Sequence, residues 1–435
     1  MFALILSAAL GQWSPQPPGM LQYDPGAQCQ RTGGRCFLNR SGNRPRENYA
    51  FFEFAPSSGA GMGTACACTT PTSAKGDALT FTRTAAATCS PLGLATTGIT
   101  NASLVECSAN LPRVESSGSV LGLRVEGART NVLTRFIDYA NATWADVATP
   151  TLTGAQVSPW TGTYANLAVQ FDDNNAAAFE GRTQTVTVTA ATAYVMSCYV
   201  KAGTLAAWTL SLDGTTASGT GLSSTTWSRV TVTDASSSGV AIAAQALNGS
   251  VVGDTGTVIW GGCQVEAGTY ATSMIPTVAA GVARGAEAAS FLSISTTPRC
   301  AAGSFSVPYT IVDASRRIAN PTNAGGTSQL DLFVSTGSAA VAGFAFDGVD
   351  FRQPVTANLI SAAPTVNRAY FYYVPSTTAA VALNGGIEAV LAGGAVDPVT
   401  TDRVGIGVYV PGAAGTELNG IVSLVQVDPS PSRCR

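Results

Sequence analysis

Along most of this chain apolar and polar residues alternate with a period of two, the mark of strands that bury one face. The clearest run is Thr183-Gln184-Thr185-Val186-Thr187-Val188-Thr189, with valine on one side and threonine on the other. Tyr194 to Val200, Trp227 to Val232 and Thr257 to Trp260 continue it, as do Leu330 to Val334, Ala369 to Val374 and Val404 to Val410. Gly, Pro, Asn and Asp punctuate these runs, and helical periodicity is almost absent. Many short strands between turn signals predict an all-β protein built of tandem β-sandwiches or jelly rolls. The Thr and Ser faces are expected to point outward.

Shifts in composition divide the chain into four parts. Residues 1–75 are rich in Pro and Gly, with Arg40, Arg44 and Arg46 clustered, and read as an irregular, cysteine-bearing arm for attachment or oligomerisation. Residues 76–130 read as a strand-and-turn connector, 131–290 as one sandwich and 291–435 as another. The apolar run Met1 to Leu10 is far shorter than the about 20 residues that span a bilayer. It also lacks the basic residues that precede the core of an export signal. It is read as a retained apolar plug, with a cleaved signal as the alternative. No other segment resembles a membrane span, and no internal repeat of fixed period appears.

Charged residues make up only 11% of the chain, against about 25% in ordinary domains, and the net charge is -3. With 46% hydrophobic residues the chain is expected to fold. The absence of histidine excludes Ser-His-Asp and Cys-His nucleophiles, histidine general bases and histidine zinc sites. The 23 Lys and Arg form no dense run, so a nucleic-acid surface is not expected. Nothing calls for a cofactor. The ten cysteines show no paired metal-binding spacing and suit disulfides in an oxidising setting. Cys300 and Cys434 bracket the last sandwich like a clasp, and Cys198 and Cys263 sit in strand-like runs as a second candidate pair. Buried, inert thiols are the alternative for each.

Three stretches carry a resemblance. Ala78-Leu79-Thr80-Phe81-Thr82-Arg83-Thr84 leads through Asn110-Leu111-Pro112-Arg113 to Leu121-Gly122-Leu123-Arg124-Val125-Glu126-Gly127-Ala128-Arg129-Thr130-Asn131. Tyr199-Val200-Lys201-Ala202-Gly203 follows. The third is Trp260-Gly261-Gly262-Cys263-Gln264-Val265-Glu266-Ala267-Gly268 running on to Ala271-Thr272-Ser273-Met274-Ile275-Pro276-Thr277, then Ala283-Arg284. In order and spacing they resemble a module of bacteriophage and prophage tail-fibre and virion-surface proteins, over residues 78–290. The extra Gly262 and Cys263, and Gly285-Ala286-Glu287 after the arginine, depart from that pattern. Farther on, Val381 to Gly386 and Leu418 to Leu424 resemble the hairpin and last strand of concanavalin A-like, laminin G-like domains, and Asn384-Gly385 suits a tight hairpin.

The resemblance assigns no catalytic role. Glu126, Arg129, Gln264, Glu266 and Arg284 read as an internal clasp, with Glu266 paired to Arg129 or Arg284; a sugar-binding polar pair at Gln264 and Glu266 is the alternative. Trp144, Trp160 and Tyr164, in turn-rich sequence, are the candidate glycan contacts, while Trp208 and Trp260 read as core. A glycosidase needs two carboxylates about 5–9 Å apart. Neighbouring Asp172 and Asp173 face opposite ways, and Asp347, Asp350 and Glu388 meet only if the fold brings them together. Asp172, Asp173, Asp213 and Asp254 are candidate oxygen ligands for a structural cation.

These features lead to the expectation of a non-enzymatic virion protein, a tail fibre, spike or head/neck decoration. It would assemble as a homotrimer, join other virion proteins through its arm and touch host surface glycans. A carboxylate-dependent tail depolymerase and a secreted bacterial adhesin are the alternatives.

Overall fold

A computed structural model of the chain describes Gln30–Thr32, Arg35–Phe37, Ala50–Glu53, Cys66–Cys68 and, between residues 79 and 434, all but scattered segments; 120–296 is continuous. The fold is all-β. Among the described residues one 3-10 turn, Gly162–Tyr164, is the sole helical element. Two compact units are present, one of residues 1–44 with Arg435 and one of Pro45–Cys434. The first contains the antiparallel pair of Gln30–Thr32 and Arg35–Phe37. Met1 to Leu10, Cys29, Arg40, Arg44 and Arg46 lie outside the described residues.

The middle of the larger unit is a jelly roll of two five-stranded antiparallel sheets. One runs Ala145–Val147, Gly181–Thr187, Ala241–Asn248, Ala207–Leu212, Thr215–Thr220; the other Thr151–Gln156, Ala168–Asp173, Gly256–Ala267, Tyr194–Ala202, Ser228–Asp234. The expected alternation is realised: Val186 is buried while Thr185 and Thr187 are exposed. Met196, Leu210, Leu212, Ile242, Val258 and Trp260 fill the space between the sheets. The extra Gly262 has a local cause. Cys198 pairs with Cys263 but Val200 pairs with Trp260, so the longer strand carries one additional residue there. That residue forms a β-bulge, and Gly262 takes φ +127°, a value that L side chains rarely adopt.

Among the described residues the second sandwich has an eight-stranded and a nine-stranded sheet. Leu332, Phe371, Val381, Val404, Ile406 and Val422 lie between them. Asn384 and Gly385, at φ 52° and 72°, make the expected tight turn, closed by the Gly386 amide donating to Leu383 O at 2.9 Å.

The expected boundaries need correction. Thr80–Thr82 pairs with Ala288–Thr296, and Val120–Val125 pairs with Gly420–Asp428. Cys66–Cys68 joins the same sheet through Arg113–Ser117, and Ala50–Glu53 pairs with Gly420–Asp428. Residues 76–130 are therefore not a free connector, and part of the expected arm belongs to a sandwich. Leu79, next to its strand, and the strand residues Phe81, Leu123 and Val125 are apolar and need a sheet to bury them, and the C-terminal strands supply it. The jelly roll is inserted into this second sandwich. The chain leaves and returns through the antiparallel pair Arg129–Asn131 and Val282–Arg284.

Candidate functional site

Near the paired strands that lead into and out of the jelly roll lies a buried seam of charge. In a chain so poor in charge, Arg83, Arg113, Arg124 and Arg284 converge here with Glu115, Glu126 and Glu287, all of them almost without exposure. Burying an ionised group is costly unless it is paired and hydrogen-bonded, and each member is paired. Arg284 Nη1 donates to Glu126 Oε2 at 2.7 Å and Arg113 Nη2 to the same oxygen at 2.9 Å. Arg124 Nη2 donates to Glu126 Oε1 at 2.6 Å. Ser273 completes the shell, its amide donating to Glu126 Oε1 at 2.9 Å and its hydroxyl to Oε2.

Glu287 repeats this pattern. It accepts from Arg83 Nη1 at 3.0 Å, from Arg113 Nη2 at 2.5 Å and from the Glu126 amide at 2.9 Å. Arg83 also donates to the carbonyls of Ala85, Cys107 and Ser108. The seam thus ties residues 83–126 to the end of the jelly roll and to the first strand beyond it. Burial alone would raise the Glu126 carboxyl, but Arg124, Arg284 and Arg113 outweigh it and hold it well below the usual carboxylate range. At Glu115 burial wins over Arg124 and Arg113, and the carboxyl is raised.

Gln264 and Glu266 lie beside the seam on one strand face, both fully buried. Gln264 Nε2 donates to Glu266 Oε1 at 2.9 Å, and Thr272 donates to Glu266 through its amide and, at 2.7 Å, its hydroxyl. Arg129 Nε stands 3.9 Å from Glu266 Oε2, whereas Arg284 turns to Glu126. A polar pair with no exposure offers nothing to a sugar, so the alternative at Gln264 and Glu266 is withdrawn. A cavity of about 20 Å³ borders the seam between Glu115, Arg124, Tyr199 and Arg229. It has room for a water and not for a saccharide ring.

The glycan candidates need a sharper correction. Trp144 is buried in the jelly-roll core beside Tyr139, its Nε1 donating to Arg135 O at 3.0 Å. Trp160 is fully buried because residues 99–104 cover it: Leu104 bridges to Trp160 and Ile99 to Trp227. Tyr164 is half-buried, edge-on to Phe136 and Trp160. A long-range cover of this kind leaves no local mark in turn-rich sequence. Trp260 is core as expected, while Trp208 is only half-buried over Gly219.

The aspartates considered for a cation do not gather, and among the described residues no three ligating side chains form a metal group. Asp173 accepts from the amides of Asn175 and Glu180, and Asp254 from those of Ser250 and Val251, so each fixes its own turn, while Asp213 accepts from Ser238 and ties two separate loops. Asp347 and Asp350 lie outside the described residues. Disulfides join Cys300 to Cys434, Cys198 to Cys263 and Cys68 to Cys107; Cys89 is also bridged.

Sequence reasoning placed Glu126 and Arg284 in a clasp but missed Arg83, Arg113, Arg124, Ser273 and Glu287 as their partners. A usable signal existed, since isolated charges inside apolar strand sequence must find partners.

No family model matches the chain, and no curated protein matches it. Solved structures with partial likeness include domains LG4-5 of the mouse laminin α1 chain, at 11% identity over 65% of this chain and 94% of that one, TM-score 0.23. The tandem CBM22 domains of Paenibacillus barcinonensis Xyn10C match at 11% identity over 70% of this chain and 99% of that one, TM-score 0.25. An arabinose-bound α-L-arabinofuranosidase matches at 15% identity over 34% of this chain, TM-score 0.27; this chain spans only 27% of that enzyme's length.

Proposed function

We propose that this chain is a structural adhesion protein of a virion surface, a fibre, spike or decoration whose β-sandwiches touch the host. The observation that carries this reading is the seam. The stretches that resemble virion-surface modules supply Arg113, Arg124, Glu126, Ser273 and Arg284, whose side chains grip one another in the interior, and Arg83, which joins them through Glu287. Glu126 is enclosed by three arginines and a serine and is held ionised, which suits a joint and not a proton donor. On this reading the module's signature residues brace one sandwich against another.

The reading extends to assembly. Uncharged Thr- and Ser-rich faces such as Thr215–Thr220 suit packing against identical subunits, and three copies would multiply weak contacts through effective concentration. Immunogold labelling of the source particle with an antibody to this chain tests the placement. Label on tail, neck or head is the expected result, and label confined to the bacterial envelope would move the chain to the secreted-adhesin class. Light scattering of the purified chain tests the trimer.

A further inference from the structure

The cavity beside the seam lies between two parts of the fold. Glu115 and Arg124 come to its wall from the chain that precedes the jelly roll, Tyr199 and Arg229 from the jelly roll itself. Two of these side chains bring unused donors. Arg124 is 5% exposed, and its Nε and Nη2 both donate to Glu126 Oε1, at 3.0 and 2.6 Å. The planar fork of a guanidinium then turns Nη1 to the other side. That nitrogen is buried without a hydrogen-bond partner and stands 3.7 Å from Glu115 Oε2, beyond hydrogen-bond reach. Arg229 Nη2 donates to Ser197 Oγ at 2.9 Å and to Thr272 O at 2.5 Å, while its Nε is buried without a partner.

The balance of charge points the same way. Among the described residues the ion pairs here join Arg83, Arg113, Arg124 and Arg284 to Glu115, Glu126 and Glu287, and none includes the half-buried Arg229. Five guanidinium groups thus meet three carboxylates, and Glu266 does not restore the balance, because Arg129 stands 3.9 Å from it. A positive excess is costly in an interior, and a small anion cancels it. Burial raises the Glu115 carboxyl against the pull of Arg124 and Arg113. Once protonated, Glu115 donates to an anion instead of repelling it.

We propose that this cavity binds one chloride ion, held by Arg124 Nη1 and Arg229 Nε, which completes the joint between the jelly roll and the chain before it. Its volume of about 20 Å³ exceeds the about 10–15 Å³ that one water needs and suits a monatomic anion. The Tyr199 phenol, near enough to Arg229, Glu115 and Arg124 to feel their charges, supplies a third donor. Of the other groups that face Glu115, the Ser90 amide does not titrate, Arg113 and Arg124 stay charged, and Glu126 is held ionised. Burial moves the Tyr199 hydroxyl further from neutrality. The proton taken up with the ion therefore goes to Glu115. The site rests on the seam and not on the adhesion reading.

The test melts the full chain in sodium chloride and in sodium gluconate at equal ionic strength. Chloride is expected to raise the melting temperature saturably over the larger gluconate, by about 2 °C at about ten times its Kd. The increment is expected to be larger at pH 5 than at pH 8. Arg229→Met should abolish it, and Tyr199→Phe, which keeps the ring, should reduce it and carries the test should Arg229→Met unfold. Crystals of the full chain grown in sodium bromide should show an anomalous peak between Arg124 and Arg229 at the bromine edge. A melting temperature indifferent to the anion, a wild-type increment in the folded variants, or cavity density without anomalous signal, which is a water, overturns the site. An increment equal at both pH values overturns the part assigned to Glu115.

Discussion

Arg129 and Arg284 face each other across the antiparallel pair that leads into and out of the jelly roll, yet their guanidinium groups serve different carboxylates. Arg284 reaches Glu126 at 2.7 Å and Arg129 approaches Glu266 at 3.9 Å. Two like charges in direct register are tolerable because each has its own counter-charge. The entrance to the inserted domain is thus fixed from both strands.

Removing one member of the seam should be costly. Replacing a single partner of a buried pair typically loses about 3–5 kcal/mol, because the remaining charges stay buried. Glu126→Gln leaves Arg113, Arg124 and Arg284 facing a neutral group and is expected to lower the urea midpoint sharply. A midpoint within error of wild type would mean that the seam is solvated.

The acid limb of stability follows from the direction of the Glu126 shift. Its folded-state carboxyl lies well below its unfolded value, so its contribution is complete above the ordinary carboxylate range and is lost as pH falls toward the depressed value. Burial raises Glu115 and Glu266 instead. Their contribution has the opposite sign, present at low pH and lost as pH rises through their folded values. Wild type should therefore lose stability on acidification below the ordinary carboxylate range, and Glu126→Gln should lose less over the same window. Urea midpoints measured from neutral pH down to pH 3 read the difference.

Topology makes a prediction about fragments. Residues 291–435 lack Val120–Val125 and Thr80–Thr82, which pair with Gly420–Asp428 and Ala288–Thr296. That fragment is expected to aggregate or remain unfolded, whereas 45–435, which keeps Ala50–Glu53, Cys66–Cys68 and the Cys68–Cys107 bridge, gives a cooperative melt. A well-dispersed NMR spectrum from 291–435 alone would contradict the insertion.

The interior rings should matter for stability and not for contact. Trp160→Ala removes a fully buried indole whose Nε1 donates to Gly261 O at 2.9 Å, at a typical cost of about 3–5 kcal/mol. Lost adhesion with an unchanged melting temperature would restore Trp160 to the surface.

What could be read from sequence follows the range of the forces involved. The alternation around Val186, the turn at Asn384-Gly385 and the core position of Trp260 depend on local pattern and reappear in the fold. The burial of Trp160 and the pairing of Val120–Val125 with Gly420–Asp428 depend on residues far away in the chain, and nothing beside them in sequence signals the partner. The seam stands between these cases. Its charges are conspicuous in so uncharged a chain, but which arginine meets which glutamate is decided by the insertion of one domain into another.

The central proposal is that this chain grips a surface and does not cut it. Purified full-length protein incubated with the host of the source particle tests this directly when bound protein, particle adsorption and soluble sugar are followed together. The account predicts saturable binding that blocks adsorption with no release of oligosaccharide. Fragments of host polysaccharide appearing in the supernatant, or adsorption unaffected by saturating protein, would contradict it.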